Sequence, residues 1–141
     1  MPTEETRIKQ ALNRRDENIA AATELKYERN TFGPYAKVST PDRLEYFGFV
    51  QVYVEVKQPG RGPTKGQAHR MKHVRKHGTP AIAVCGYEGH YDKKSDTQWG
   101  GLDNYYEQLL EIVQPSEVRA HVQRYAQDAQ KMRLGLEKLL G

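Results

Sequence analysis

The 141-residue chain has a single cysteine, Cys85, so it forms no internal disulfide and no thiolate zinc cluster of the usual spacing. Both exclusions suit a reducing cytosol. It also lacks any apolar run near the roughly 18 residues that span a bilayer. Its first residues, MPTEETRIKQ, are too polar and too acidic for a secretory signal. The expectation is a soluble cytoplasmic protein (in the host cytoplasm if viral) with no membrane partner. There is no internal repeat and no low-complexity tract. The excess of positive charge is small, 22 Lys+Arg against 18 Asp+Glu. That balance permits a nucleic-acid partner without demanding one, because the distribution of charge matters more than its total. The length fits one domain able to bury a core without staples.

What is present reads as alternating elements. Thr3 can cap a helix whose first turn holds Glu4 and Glu5, where acids complement the helix dipole. Ile8, Ala11, Leu12, Ile19 and Ala22 recur at helical spacing, predicting one helix over roughly 4–26. Gly33-Pro34 and Pro41 then break the pattern. Leu44–Phe47, Gly48 and Phe49–Lys57 predict two strands around a turn. In the second, Val50, Val52, Val54 and Val56 share one face, and Gln51, Tyr53, Glu55 and Lys57 the other. Gln58–Gly66 is a Gly/Pro-rich basic loop. A helix over roughly 64–77 follows, ended by Gly78, then the short buried-type strand Pro80–Cys85. Residues 86–101 are expected to be irregular, and a helix over roughly 102–113 closes at Pro115.

From Ser116 a last helix carries Val118, Val122, Tyr125, Ala129, Met132, Leu136 and Leu139, steps of four and three that form a heptad seam. Such a seam packs on its own domain or pairs with a second copy. The pairing is favoured here, although Gly135 weakens the helix. The organisation expected is a body over 1–115 and the heptad helix over 116–141, in one α/β or α+β unit with a mixed sheet.

The chemistry concentrates in three residues. Glu55 and Lys57 flank Val56 on an otherwise apolar strand, where two charges are costly unless paired or bound to something. Asp42 precedes the neighbouring strand, and a hairpin brings it beside Glu55. Two carboxylates and a lysine at one point suit a hard cation such as Mg²⁺ or Mn²⁺, which polarises a phosphate oxygen and lowers the pKa of a bound water. Lys57 would orient or help deprotonate that water and offset charge in the transition state. The plainer reading is an exposed strand with an ordinary Glu/Lys pair.

The order Thr40-Pro41-Asp42-Arg43-Leu44, Val54-Glu55-Val56-Lys57, and Gln67 after a Gly/Pro loop resembles the VRR-NUC branch of the PD-(D/E)xK nucleases. The resemblance covers about Ser39–Gly86 and includes Gly78-Thr79-Pro80-Ala81-Ile82-Ala83-Val84, similar to the family's last core strand. It implies a restriction-endonuclease-like αβββαβ core with a mixed sheet flanked by helices, here with an extra C-terminal amphipathic helix. It further implies a Mg²⁺- or Mn²⁺-dependent DNA endonuclease. Asp42 and Glu55 would hold the metal with the Val56 carbonyl, Lys57 would be the catalytic lysine, and Gln67 would position the water or the scissile phosphate. A first-helix glutamate is also implied. Glu5, beside the buried stripe, fits better than Glu4 at its other edge or Glu17 on the opposite face. The family commonly has Gly two residues before the Asp, where this chain has Thr40. Stand-alone members in bacteriophages work as dimers on branched DNA, so a homodimer cutting Holliday junctions or flaps is the substrate expectation.

Arg61, Lys65, His69, Arg70 and Lys72, continued by His73, Arg75, Lys76 and His77, make a basic loop and helix suited to the DNA backbone; a solvated helix face is the plain alternative. His69, His73 and His77 stand four apart, but no carboxylate or cysteine obviously completes a second metal site. Trp99 and Tyr87, Tyr91, Tyr105 and Tyr106 are read as core or loop cover rather than base-stacking residues, and Cys85 as inert. The rival of a different class is a non-catalytic nucleic-acid-binding scaffold, which would need the basic surface but not three mutually costly charges. An assembly protein using only the heptads leaves the rest of the chain unexplained.

Overall fold

The computed structural model describes residues 3–31, 42–113 and 123–141. Helix α1, Glu4–Thr23, begins as expected: Thr3 Oγ1 accepts the Thr6 N–H at 3.1 Å. It ends earlier than expected because Glu24 turns left-handed (φ 60°) and its N–H closes on the Ala20 carbonyl. Strand β1, Tyr27–Thr31, was not legible in the sequence. It is an edge strand with four of its five residues exposed, so it carries no apolar alternation.

Strands β2, Arg43–Phe47, and β3, Val50–Lys57, form the anticipated hairpin. Its turn requires Gly48. The residue has φ +60°, and a Cβ there would lie 2.3 Å from Oδ2 of Asp128, the carboxylate that accepts the Phe49 N–H at 2.8 Å. Helix α2, Lys65–Lys76, crosses to β4, Ala81–Cys85, which runs parallel to β3. The sheet order is β1-β2-β3-β4, antiparallel except for the last pair, so the α/β core has the expected αβββαβ order. Residues 86–101 are not wholly irregular. They contain a two-stranded hairpin of β5, His90–Asp92, and β6, Thr97–Trp99, three residues each and too short to show a period. Helix α3, Tyr105–Ile112, and helix α4, Gln123–Leu140, complete the chain. The breaks at Gly33-Pro34 and Pro41, the Ser116 cap, and Val118 and Val122 of the seam lie outside the described residues.

Alternation on β3 sorts the two sides of the sheet as the sequence predicted. Val50, Val52, Val54 and Val56 join Ile82 and Val84 of β4 under α1, α3 and α4. Tyr53 joins Ala81, Ala83 and Cys85 under Met71 of α2. The heptad seam enters the first of these layers. Ala129, Met132 and Leu136 are fully buried in the chain's own core, with Tyr125 and Leu139 packed against it. The seam favoured for pairing two copies is therefore occupied internally. Gly135 makes this possible, because a Cβ there would meet Thr23 Cγ2 of α1 at 2.4 Å.

The same layer buries charge. Arg43 Nη2 donates to Asp16 Oδ2 at 2.9 Å and Arg43 Nε to Glu45 Oε1 at 2.6 Å; all three side chains are at most 2% exposed. The Tyr105 hydroxyl lies between the carboxylates, 2.6 Å from Asp16 Oδ1 and 2.8 Å from Glu45 Oε2. Arg43 directly follows Asp42, so this network fixes the start of β2 where it meets the candidate site.

Candidate active site

The β2–β3 register pairs Arg43 with Val54 and Leu44 with Tyr53. Continued by one residue, it sets Asp42 opposite Glu55, on the α2 side of the sheet. The Asp42 carboxylate is fixed there: its Oδ2 accepts the Val56 N–H at 2.8 Å. Glu55 is 2% exposed. Its register partner on β4 is Ala83, and Lys57 pairs with Cys85, so small side chains flank the acidic and basic groups.

Helix α2 begins beside this point for a local reason. Thr64 and Gln67 form a capping box, in which Thr64 Oγ1 accepts the Gln67 N–H at 3.2 Å and Gln67 Oε1 accepts the Thr64 N–H at 2.9 Å. The cap curls the Gln67 side chain back, and its Nε2 donates to Glu55 Oε1 at 3.0 Å. Gln67 thus holds the carboxylate through one oxygen. The other, Oε2, is buried and receives no N–H or O–H from another residue, so it is satisfied only by a proton shared with Asp42 or by a cation.

Burial, then the neighbouring negative charge of Asp42 and a hydrogen bond between the two carboxyl groups, push Glu55 up to about 8, against the pull of Lys57 and of the Asp42 backbone. Burial likewise pushes the Tyr53 hydroxyl and the Cys85 thiol up to about 12. Cys85 is therefore a buried neutral thiol, in keeping with its reading as inert. Arg70 is near enough to Tyr53 to favour its charged form.

The other anticipated residues fall at varied distances from this centre. Glu5 lies in the first turn of α1, where its ion pair is with Lys9 at 3.8 Å. Among the described residues, no group of three or more Asp, Glu, His or Cys side chains comes together. The structure thus brings together Asp42, Glu55 and Gln67, with Lys57 alongside, and does not bring Glu5 to them as a third carboxylate. Arg61, Lys65, His69, Arg70 and Lys72 are all exposed. Of the aromatic residues, Tyr105 is fully buried, while Trp99 lines the second core layer. The Asp16–Arg43–Glu45 network went unread in the sequence, although Asp16 stands on the Ile8–Leu12–Ile19 stripe, where a charge is out of place.

The residues fit a divalent cation on one observation of this fold: Glu55 keeps a buried oxygen that receives no N–H or O–H from another residue, next to a second fixed carboxylate. No family model and no curated protein matches the chain. A solved structure described as a VRR_NUC domain is similar to it over 60% of this chain and 87% of its own, at 23% identity and a TM-score of 0.49. A likeness of that degree does not carry function, so the chemistry rests on Asp42, Glu55, Lys57 and Gln67 themselves.

Proposed function

We propose that the chain is a divalent-metal-dependent DNA endonuclease that hydrolyses phosphodiester bonds at the Asp42–Glu55–Lys57 centre. The observation that carries the reading is the buried Glu55 carboxyl, gripped by Gln67 through one oxygen and set against the Asp42 carboxyl with no N–H or O–H donor on the other. A purely structural carboxylate at 2% exposure would have both oxygens satisfied, as those of Asp16 and Glu45 are.

Asp42 and Glu55, with the Val56 carbonyl, would hold Mg²⁺ or Mn²⁺. When bound, the ion supplies Lewis-acid polarisation of a phosphate oxygen and a more acidic water. The remaining work belongs to the chain. Gln67 keeps Glu55 in one orientation. Lys57, two residues along on the same face, orients the attacking water and offsets charge on the phosphate. Arg61, Lys65, His69, Arg70 and Lys72 line the approach and bind the DNA backbone. Glu5 would join only through a water or a shift of the first turn of α1. The substrate class proposed is structured DNA, a four-way junction or a flap. Cutting a junction symmetrically would need a second copy, held by a face other than the occupied α4 seam.

The test is cleavage of labelled four-way junction, flap, single-stranded and linear duplex DNA in Mg²⁺, Mn²⁺ or EDTA, by the native chain and by Glu55→Gln. Metal-dependent cutting lost in the variant is the expected result, and the preferred substrate refines the function. Binding without cutting of any substrate would return the chain to the scaffold reading.

A further inference from the structure

Between α2, the helix that also carries Gln67, and the β5–β6 hairpin lies a groove of ≈ 830 Å³, a volume of the size that takes small ligands. Its floor is apolar, formed by buried Met71 and by Trp99. Its rim is cationic: Lys65, Lys72 and Arg75 stand on the helix wall and Lys94 on the hairpin. The acid in the lining is Asp92, whose Oδ1 is engaged by the Lys94 backbone N–H at 3.0 Å. One end is closed by the loop before α2, since a Cβ at Gly62 would lie 2.8 Å from His90 and 3.3 Å from the Trp99 ring. The indole N–H of Trp99 is buried and has no hydrogen-bond partner.

We infer that this groove binds a single-stranded segment of nucleic acid, with phosphates on the lysine rim and an unpaired base against Trp99. The occupant follows from two properties held together. Three lysines and Arg75, whose Nε is held by the Ala81 carbonyl, outnumber the one acid, Asp92, and together favour a polyanion. The apolar floor selects a polyanion that can also present a flat, poorly hydrated face, which an unpaired base does. A duplex keeps its bases stacked inward and offers the groove only phosphates, so it meets the rim and not the floor. The helix shared with the candidate site gives the position meaning. Gln67, which grips Glu55, stands on the same helix as the groove wall, within three residues of Lys65 and Ala68, although the groove lining itself holds neither Gln67 nor the carboxylates. As an account of substrate choice this rests on the nuclease reading, whereas the binding itself does not.

Trp99 is the sole tryptophan of the chain, so its fluorescence reports on the groove directly. In EDTA, the full-length protein is titrated with oligothymidylate of about 12 nucleotides, within the span one such groove can cover, and with a duplex of the same length. Saturable quenching by the single strand and little response to the duplex are expected. Lys94→Glu should weaken single-strand binding by about tenfold and make its salt dependence shallower. Lys93→Glu, the same charge change one residue outside the lining, should change it less than about twofold. Single-strand binding that leaves Trp99 fluorescence unchanged, an equal response to duplex, or equal losses in the two variants would overturn the proposal. Cleavage without quenching removes the groove and leaves the nuclease reading, while quenching without metal-dependent cleavage does the reverse.

Discussion

The Asp42 carboxylate accepts the N–H of Val56 at 2.8 Å, and so grips the residue that separates Glu55 from Lys57. One acid therefore sets the phase of the strand end that carries the other two charged groups. The bond also occupies only Oδ2, leaving Oδ1 outside that contact. Asp42→Asn preserves an oxygen acceptor for Val56 while removing the charge. It should leave the melting temperature within about 2 °C and reduce cleavage by about a hundredfold or more. Thermal melting and single-turnover cleavage of the same preparation check this, and undiminished cutting would remove Asp42 from the chemistry.

Glu55 ties stability to pH. Its carboxyl is raised from the ordinary 4.5 to about 8 in the fold, so between those values the folded chain holds a proton that the unfolded chain has released. Stability from this group is complete below about 4.5 and declines as pH rises through about 8. Glu55→Gln removes the penalty. The variant should melt higher than the native chain at pH 9, by about 3 °C or more, and nearly level with it at pH 4. Added Mg²⁺ should raise the melting temperature of the native chain at pH 9 and not that of the variant. Parallel melting curves across pH would mean that Glu55 is not proton-bearing in the fold.

Gln67 serves two structures at once, the cap of α2 and the grip on Glu55. Gln67→Ala should cost about 1 kcal/mol of stability and lower cleavage by about tenfold, the penalty of a misplaced reacting group. Gln67→Glu restores the capping oxygen but turns an acid toward Glu55. It should recover the stability at pH 6 without recovering the rate. Recovery of both would assign Gln67 to the cap alone.

The Tyr105 hydroxyl has one proton but lies within hydrogen-bond distance of both Asp16 and Glu45. The second contact needs a proton on a carboxyl. Burial, followed by the adjacent charge of Glu45, raises Asp16 well above the usual carboxylate range, which places the proton there. Asp16→Asn mimics that neutral form and should cost less than about 1 kcal/mol, whereas Arg43→Met leaves a buried carboxylate unpaired and should cost about 3–5 kcal/mol. Urea denaturation at pH 7 compares them. A larger loss for Asp16→Asn would reverse the assignment.

Helix α4 belongs to the core. Leu136→Ala and Met132→Ala should each cost about 2–5 kcal/mol, and a chain ending at residue 115 should lose its cooperative melt rather than yield a folded monomer. A truncated chain that still melts cooperatively would make α4 an accessory.

Local pattern was enough for α1, the β2–β3 hairpin, α2 and β4, because each carries its own period, cap or turn residue. Thr3 and Thr64 start helices, Gly48 makes the turn, and the valines of β3 alternate. The same alternation set Glu55 and Lys57 on one face, and the hairpin set Asp42 beside them. Strand β1 and the β5–β6 hairpin were not legible, since an exposed edge strand and three-residue strands gain their order from partners rather than from period. The seam of α4 was visible as a stripe, but a stripe does not name its partner. Only the close approach of Gly135 to Thr23 decided that α1 covers it. The tertiary structure alone also joined Asp16 to Arg43 across 27 residues of sequence, with Glu45 on the same guanidinium, and turned Gln67 from a helix glutamine into the partner of Glu55. A sequence determines which face each side chain takes, because the backbone period is local. Which faces meet is decided by burial summed over the whole chain.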